Sequence, residues 1–243
     1  MTKEEALKRK GGDDDDDEGI ISLDSSFFVD RSYELTEFTF GSNSLQLLCL
    51  RSASTDYDLT GQLVWPGAVL MNNYLSNHAE ILSGRSVIEL GSGIGITGIL
   101  CSRFCKEVVL TDHNDEVLEI IRKNIELEAS KRNQNLPGLT AEKLEWGNQE
   151  HIQQILQTRH SGFDILSFQQ SSVPHLFDTV QQLLQIKGKG CKFILAYVSR
   201  AKTMDTMVVN EAIQHGMRIS EVEGTRTTVS GLEGVIFEVA LKS

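Results

Sequence analysis

The stretch VIELGSGIGITG, from Val87 to Gly98, contains two overlapping glycine patterns. From Gly93 it reads G-I-G-I-T-G, the glycine spacing of a dinucleotide-binding turn. From Glu89 it reads E-L-G-S-G-I-G, in which an acid at a strand end precedes the glycine loop. Both patterns predict a strand, a glycine turn and a helix, followed about 20 residues later by an acid that binds a ribose. Asp112, which ends the segment EVVLTD, meets that requirement in both interpretations.

Segments typical of strands alternate with segments typical of helices along most of the chain. The strand segments after residue 84 are SVIEL, EVVLTD, LTAEKLEW, FDILSF and CKFILAYVS. The helical segments between them include Gly95 to Phe104 and Glu116 to Ser130, and this alternation predicts a parallel sheet with crossover helices. The closing segments MRISEVEG and EGVIFEVALK have no helix between them, which predicts an antiparallel strand pair at one edge. We therefore predict an α/β fold with a Rossmann-like sheet.

Before this alternation, the chain has a different pattern. YELTEFTF and LQLLCLRS flank the turn-rich GSNS, which predicts an N-terminal β-hairpin. TGQLVWPGAVLMNNYL then begins a helix, with Pro66 suited to its first turn. We predict a disordered acidic tail over residues 1–19 and one domain over residues 20–243. In that domain the hairpin and first helix occupy residues 27–76, and the cofactor-binding core occupies residues 84–243.

Composition restricts the class of protein. The formal net charge is −11, of which residues 1–19 contribute −4, and an acidic body repels the phosphates of nucleic acids. No apolar run approaches the roughly 20 residues that span a bilayer, and the N-terminus has no apolar core of a signal peptide. The four cysteines form no C-x-x-C pair and the six histidines have no ligand spacing. We therefore expect a monomer in the cytosol, the nucleus or both, with no metal, nucleic acid or membrane partner.

Three features outside the loop decide between the two cofactors. Four residues, Glu89 to Ser92, stand between the strand and Gly93, whereas a dinucleotide turn follows its strand directly. No tyrosine is followed by a lysine four residues later, so a common reductase pair is missing. The closing strand pair leaves little chain for a separate substrate domain. These features favour an S-adenosylmethionine (SAM) loop.

SAM also accounts for the acid at Glu89. Its methionine end carries an ammonium and its sulfur is cationic, so a carboxylate at the strand end favours that end of the molecule. Gly91, Gly93 and Gly95 allow the backbone to approach closely. The alternative is that Glu89 is a solvated acid at a strand end. We predict SAM as cofactor, with Asp112 as the residue that binds its ribose.

The sequence resembles the seven-β-strand protein lysine methyltransferases of the methyltransferase-like group, which modify chaperones and translation elongation factors. The resemblance covers about residues 27–243 and rests on QLVWPGAVLMNNYL, VIELGSGIGITGI, VLTDHNDEVLEIIRKNI and LEWGN. It implies a seven-stranded sheet, a protein substrate with an exposed lysine, and a glycine loop at Gly91, Ser92 and Gly93. It also implies that Trp65 and Trp146 help to enclose the cofactor. The alternative for both tryptophans is a place in the hydrophobic core.

The chain departs from that family after the fourth strand. The family has an acid followed three residues later by an aromatic, whereas this chain reads GFDILSFQQSSVPHL, with Asp164 opening the strand. The sequence therefore does not indicate a catalytic residue. The resemblance implies transfer of methyl from SAM to a neutral lysine amine, which the enzyme assists mainly by alignment. A non-catalytic SAM-fold interaction protein and a small-molecule methyltransferase remain alternatives.

Overall fold

A computed structural model describes residues 32–51, 61–132, 138–159, 162–168, 172–187 and 190–242. The predicted acidic tail, residues 1–19, lies outside this range, as does the start of the predicted hairpin region at residue 27. Within the described ranges, no helix is both long and apolar enough to cross a membrane.

The described chain alternates strands and helices in the order expected from the sequence. The strands are β1 (Glu34–Phe40), β2 (Asn43–Cys49), β3 (Ser86–Leu90), β4 (Glu107–Asp112), β5 (Leu139–Lys143), β6 (Asp164–Phe168), β7 (Phe193–Val198), β8 (Met217–Glu221), β9 (Thr227–Val229) and β10 (Leu232–Leu241). The helices are α1 (Pro66–Asn77), α2 (Ile96–Cys101), α3 (Asp115–Arg132), α4 (Gln149–Gln157), α5 (Val173–Lys187) and α6 (Lys202–Gln214).

The central sheet has the strand order β5-β4-β3-β6-β7-β10-β8, and β9 pairs with β10. Strands β5, β4, β3, β6 and β7 are parallel, whereas β10 runs antiparallel to both β7 and β8. The Rossmann-like sheet and the antiparallel strand pair near its edge are therefore confirmed. β3 lies in the middle of the sheet, between β4 and β6, so the loop that follows it opens at the centre of the carboxyl edge, where open α/β sheets bind ligands.

Helices cover both faces of the sheet and define two hydrophobic clusters. One cluster packs α1, α2, α3 and the hairpin against one face, and the other packs α4, α5 and α6 against the opposite face. The central strands are buried on both sides, so β3 has five buried residues in succession. This explains why the central strand segments are nearly continuous apolar runs and lack alternation.

The predicted N-terminal hairpin is confirmed and forms a separate two-stranded sheet. β1 and β2 pair from Glu34–Cys49 to Phe40–Asn43, and Gly41 takes a left-handed φ of +56° in the turn. Asn124 on α3 joins the hairpin to the core. Its Oδ1 accepts from the Leu48 amide at 2.7 Å, while its Nδ2 donates to the carbonyls of Leu48 and Ile94, both at 3.0 Å.

Several element ends differ from the sequence prediction. α2 ends at Cys101, before the predicted end at Phe104, and β5 stops at Lys143, before Trp146. β9 was not predicted, because its three residues, TTV, are mostly exposed and carry no apolar alternation. Asp164 opens β6 as expected, and its buried carboxylate pairs with Arg85 at 2.7 Å, at the amino edge of the sheet.

The hairpin attachment can be tested at Asn124. Replacing Asn124 with Ala should lower the free energy of unfolding by about 2–4 kcal/mol, because the partly buried Leu48 amide and carbonyl and the buried Ile94 carbonyl lose their partner. Asn77→Ala, which removes an exposed hydrogen bond to the Asn73 carbonyl, should change it by no more than about 0.5 kcal/mol. Urea denaturation measures both, and similar values for the two variants would contradict the role of Asn124.

Candidate functional site

The glycine loop, residues 91–95, connects β3 to α2 and is fastened to β4 by Ser92. The Ser92 amide donates to the Thr111 carbonyl at 2.7 Å, and the Thr111 amide donates to Ser92 Oγ at 2.9 Å. Ser92 is buried, and its hydroxyl also donates to the Glu89 carbonyl at 3.3 Å. Both functional groups of Ser92 are thus used to hold the loop in place.

Gly91 and Gly93 both have left-handed φ angles, +70° and +55°, and both lie against other parts of the chain. A Cβ at Gly91 would lie 3.0 Å from Trp146 Cζ2, and a Cβ at Gly93 would lie 2.8 Å from the Gly61 carbonyl oxygen. Only glycine therefore fits at either position. Gly95 lies on the core side of the loop, next to Leu110, rather than on its open side.

Asp112 ends β4 beside the loop and is nearly buried, with 5% of its surface exposed. Its Oδ2 accepts from the Gly93 amide and its Oδ1 accepts from the Asn114 amide, both at 3.2 Å. These amides orient the carboxylate. Because a carboxylate oxygen can accept more than one hydrogen bond, Asp112 can still accept from the hydroxyls of a ribose.

A cavity of about 290 Å³ opens beside the loop. It is lined by Gly91, Asp112, His113, Leu144, Glu145, Trp146, Ser172 and His175. Three of the predicted cofactor-binding residues, Gly91, Asp112 and Trp146, therefore line the same cavity. Trp146 places its indole edge against Gly91.

Glu89 lies beneath the loop and is completely buried. Its Oε2 accepts from the Gly98 amide at 3.0 Å, while Oε1 has no hydrogen-bond partner within the described ranges. The pKa of the Glu89 carboxyl is raised from 4.5 to about 7, chiefly by burial and to a smaller extent by the negative charge of Asp112. The Ser92 and Thr97 side chains and the Gly98 amide act in the opposite direction. Glu89 is thus a buried carboxyl with a pKa near neutral pH. It is not the solvated acid of the alternative interpretation.

Trp65 lies apart from the residues that line the cavity. It immediately precedes α1, and the Arg200 guanidinium lies 4.6 Å from the centre of its ring. Arg200 follows β7, so this contact is also at the carboxyl edge of the sheet. The structure therefore separates the two tryptophans that the sequence treats together.

The sequence did not single out five of the cavity residues. His113 is next to Asp112, and Leu144 and Glu145 directly precede Trp146. Ser172 directly precedes α5, and His175 is in the first turn of that helix. The sequence lacks the family's acid–x–x–aromatic element after the fourth strand, and residues 169–171, which follow β6, lie outside the described ranges. No group of three or more metal-ligating side chains with suitable geometry occurs in the part of the chain that the structure describes.

Comparison with known proteins assigns the family. The profile of the lysine methyltransferase family matches residues 46–212. The chain belongs to this family. The matched range begins in the hairpin and ends in α6, so it includes the whole loop, Asp112 and Trp146.

The chain is also similar to individual methyltransferases. It is 31% identical over 160 residues to mouse protein N-lysine methyltransferase METTL21A, an alignment that covers 65% of this chain and 66% of that protein. It is 34% identical over 87 residues to human histone-arginine methyltransferase METTL23, covering 35% of this chain and 43% of that protein. The chain thus spans less than two thirds of either relative. These alignments show that the proteins are related, but they do not identify the substrate of this chain.

The fold is that of solved methyltransferases. Magnesium protoporphyrin IX methyltransferase from Synechocystis PCC 6803, a structure with bound SAM, superposes with a TM-score of 0.53 at 11% identity. The superposition covers 79% of this chain and 87% of that chain. At this identity the comparison concerns the fold alone.

The buried carboxyl of Glu89 predicts a pH-dependent stability. Because the folded-state pKa is raised, the folded protein retains a proton that the unfolded chain releases between pH 4.5 and about 7. Stability therefore falls as pH rises through this window, by at most about 1.4 kcal/mol per pH unit. Glu89→Gln should remove this contribution while it keeps an acceptor for the Gly98 amide.

Urea denaturation of both proteins at pH 5, 6, 7 and 8 measures the effect. The difference in unfolding free energy between Glu89→Gln and the wild type should grow with pH. Glu126→Gln, at an exposed glutamate on α3, serves as the control and should give no such trend. Parallel profiles for the wild type and Glu89→Gln would show that Glu89 does not titrate in this range.

Proposed function

We propose that the chain is a SAM-dependent methyltransferase that methylates a lysine side chain of another protein. The observation that carries this proposal is the cavity at the carboxyl edge of the sheet, which Gly91, Asp112 and Trp146 line together. Membership of the lysine methyltransferase family supports the same conclusion. The cofactor-binding set we propose is the predicted one, Trp65, Glu89, Gly91, Ser92, Gly93, Gly95, Asp112 and Trp146, and it divides into different roles.

The residues present fit SAM in both shape and charge. Asp112 offers carboxylate oxygens to ribose hydroxyls, and Trp146 offers an indole surface to the nucleoside. Asp112 and Glu145 on the wall and Glu89 beneath the loop give the site a negative potential that suits a cationic ligand. Oε1 of Glu89, which has no partner among the residues that the structure describes, leaves buried acceptor capacity on that side of the loop. Ser92, Gly93 and Gly95 belong to the loop but do not line the cavity. They pack on Thr111, Gly61 and Leu110 and so keep the loop in its conformation.

SAM, when bound, supplies a methyl group activated by the adjacent sulfonium. The protein contributes the alignment of an amine with that group and an environment that favours the neutral amine. The net charge of −11 favours the approach of a lysine-rich surface. Trp65, whose ring contacts the Arg200 guanidinium at the same edge of the sheet, is the member of the proposed cofactor-binding set that stands nearest β7.

Lysine is preferred to arginine as the acceptor because the family profile that covers most of the chain is that of lysine methyltransferases. The name of METTL21A, a protein N-lysine methyltransferase, agrees with this choice, whereas the shorter METTL23 alignment is to a histone-arginine methyltransferase. We further infer a protein substrate such as a chaperone or a translation factor. We further propose a monomeric enzyme of the cytosol or nucleus, and the net charge of −11 disfavours a nucleic-acid partner.

Incorporation of tritiated methyl from SAM into the proteins of a cell lysate tests this function. The purified chain should label protein, and acid hydrolysis should recover the label in methyl-lysine. Asp112→Asn, which removes the carboxylate charge, should lower labelling at subsaturating SAM by at least about tenfold. Label in methyl-arginine would overturn the choice of acceptor, and the absence of protein labelling would overturn the proposed activity.

A further inference from the structure

A second cavity lies at the amino edge of the sheet, opposite the edge that carries the cofactor cavity. It encloses about 310 Å³ between the start of β2 and the last turn of α3, and it is lined by Ser44, Gln46, Arg103, Glu128, Lys131 and Arg132. α3 leaves the carboxyl end of β4 and returns to the amino end of β5, so its last turn lies at the amino edge. This basic cavity has no part in the proposed methyl transfer.

Arg103, which follows α2, connects β2 to α3 at the basic cavity. Its Nη2 donates to the buried carboxylate of Glu128 at 3.0 Å and to the Ser44 carbonyl at 2.8 Å, and its Nε donates to the same carboxylate at 3.2 Å. The charge of Arg103 is therefore offset by that of Glu128. The charges of Lys131 and Arg132 remain, so the cavity is cationic on a chain whose net charge is −11.

Lys131 and Arg132 have hydrogen-bond donors that the described residues do not use. The ammonium of Lys131 donates to the Gln46 carbonyl at 3.3 Å, which occupies one of its three N–H groups. Nη1 of Arg132 is buried and has no hydrogen-bond partner within the described ranges. A buried N–H group without an acceptor is costly, and a carboxylate oxygen removes that cost. Basic residues in a last helical turn also offset the helix dipole, but that role alone gives Nη1 no acceptor.

The chain has its own acids within reach of the basic cavity. The acidic run, residues 13–18, consists of five aspartates and a glutamate in succession and lies outside the described ranges. Residues 19–33 separate it from β1, and a segment of that length spans up to about 50 Å. Ser44, at the cavity, pairs with Thr39, which is about 17 Å along β1 from Glu34. The acidic run can therefore reach the cavity.

We propose that the acidic run binds in the basic cavity. Its carboxylates are acceptors of the kind that suits Lys131 and Arg132, and attachment to the same chain gives the run a high effective concentration, so weak charge pairs suffice to hold it. Composition predicts that the run has nothing apolar to bury, and charge pairing at a cavity does not require apolar burial. Binding at the amino edge keeps these negative charges away from the cofactor cavity, where they would attract the cationic ligands of the site.

A double-mutant cycle in the full chain tests the proposal. The acidic-run variant has Asn in place of Asp13, Asp14, Asp15, Asp16 and Asp17, and the cavity variant carries Lys131→Gln and Arg132→Gln. In urea denaturation, the acidic-run variant should have an unfolding equilibrium constant about fivefold larger than that of the wild type, because several charge pairs are lost. In the cavity variant, the same acidic-run substitutions should change the constant by less than about twofold.

Two controls accompany the cycle. Arg122→Gln with Lys123→Gln removes the same two charges from exposed positions of α3, and in this background the acidic-run substitutions should keep their fivefold effect. In about 1 M sodium chloride the effect should disappear from the wild-type background, because the Debye length is then only about 3 Å.

The sign of the effect distinguishes binding from an acidic run that makes no contact. Without binding, the loss of five acids from a chain of net charge −11 relieves repulsion, so the unfolding constant stays the same or falls in every background. That result would overturn the proposal, as would an equal increase in the wild-type and cavity-variant backgrounds.

Inorganic phosphate, compared with chloride at matched ionic strength, tests the alternative occupant, a small oxyanion. If the acidic run occupies the cavity, phosphate should raise the melting temperature of the acidic-run variant more than that of the wild type, because the run competes with it. The cavity variant should not respond. An equal rise in the wild type and the acidic-run variant would assign the cavity to a small oxyanion and overturn the proposal.

Discussion

The reciprocal hydrogen bonds between Ser92 and Thr111 are the constraint on which the site depends. They join the glycine loop after β3 to the end of β4, and so fix the loop relative to Asp112, the next residue along that strand. Asp112 in turn accepts from the Gly93 amide, which makes loop and carboxylate a single rigid unit. Because the strand ends, and not the loop itself, set this geometry, the cavity wall is pre-formed by the fold.

The same unit includes a group that is costly for stability. Glu89 is a fully buried carboxyl, and its Oε1 has no hydrogen-bond partner in the part of the chain that the structure describes. Burial is the main reason that its pKa is raised to about 7. Retention of an acid beneath the loop is intelligible if a cationic ligand binds above it, since the ligand then compensates a charge that the protein alone does not.

Much of the fold could be predicted from the sequence because burial determines where apolar residues occur along each strand and helix. Continuous apolar runs marked the strands of the parallel sheet, and Pro66 marked the start of α1. The loop and Asp112 could be predicted because both belong to one β–loop–α–β unit, in which their spacing along the sequence is fixed. Side chains brought together by tertiary packing have no such signal. The sequence therefore grouped Trp65 with Trp146, although Trp65 contacts Arg200, and it offered nothing that placed His175 on the cavity wall.

The central claim, that the loop is shaped to hold SAM against Trp146, is tested most directly by calorimetry on a matched pair of glycine variants. Gly91 and Gly84 have nearly equal φ angles, +70° and +71°, but a Cβ at Gly91 meets Trp146, whereas a Cβ at Gly84 meets nothing within 4 Å. Ala at either site incurs similar backbone strain, so only Gly91→Ala should displace the indole. The wild type and Gly84→Ala should bind SAM equally, and Gly91→Ala should bind at least about tenfold more weakly. Failure of the wild type to bind SAM, or equal affinity in Gly91→Ala, would contradict the account.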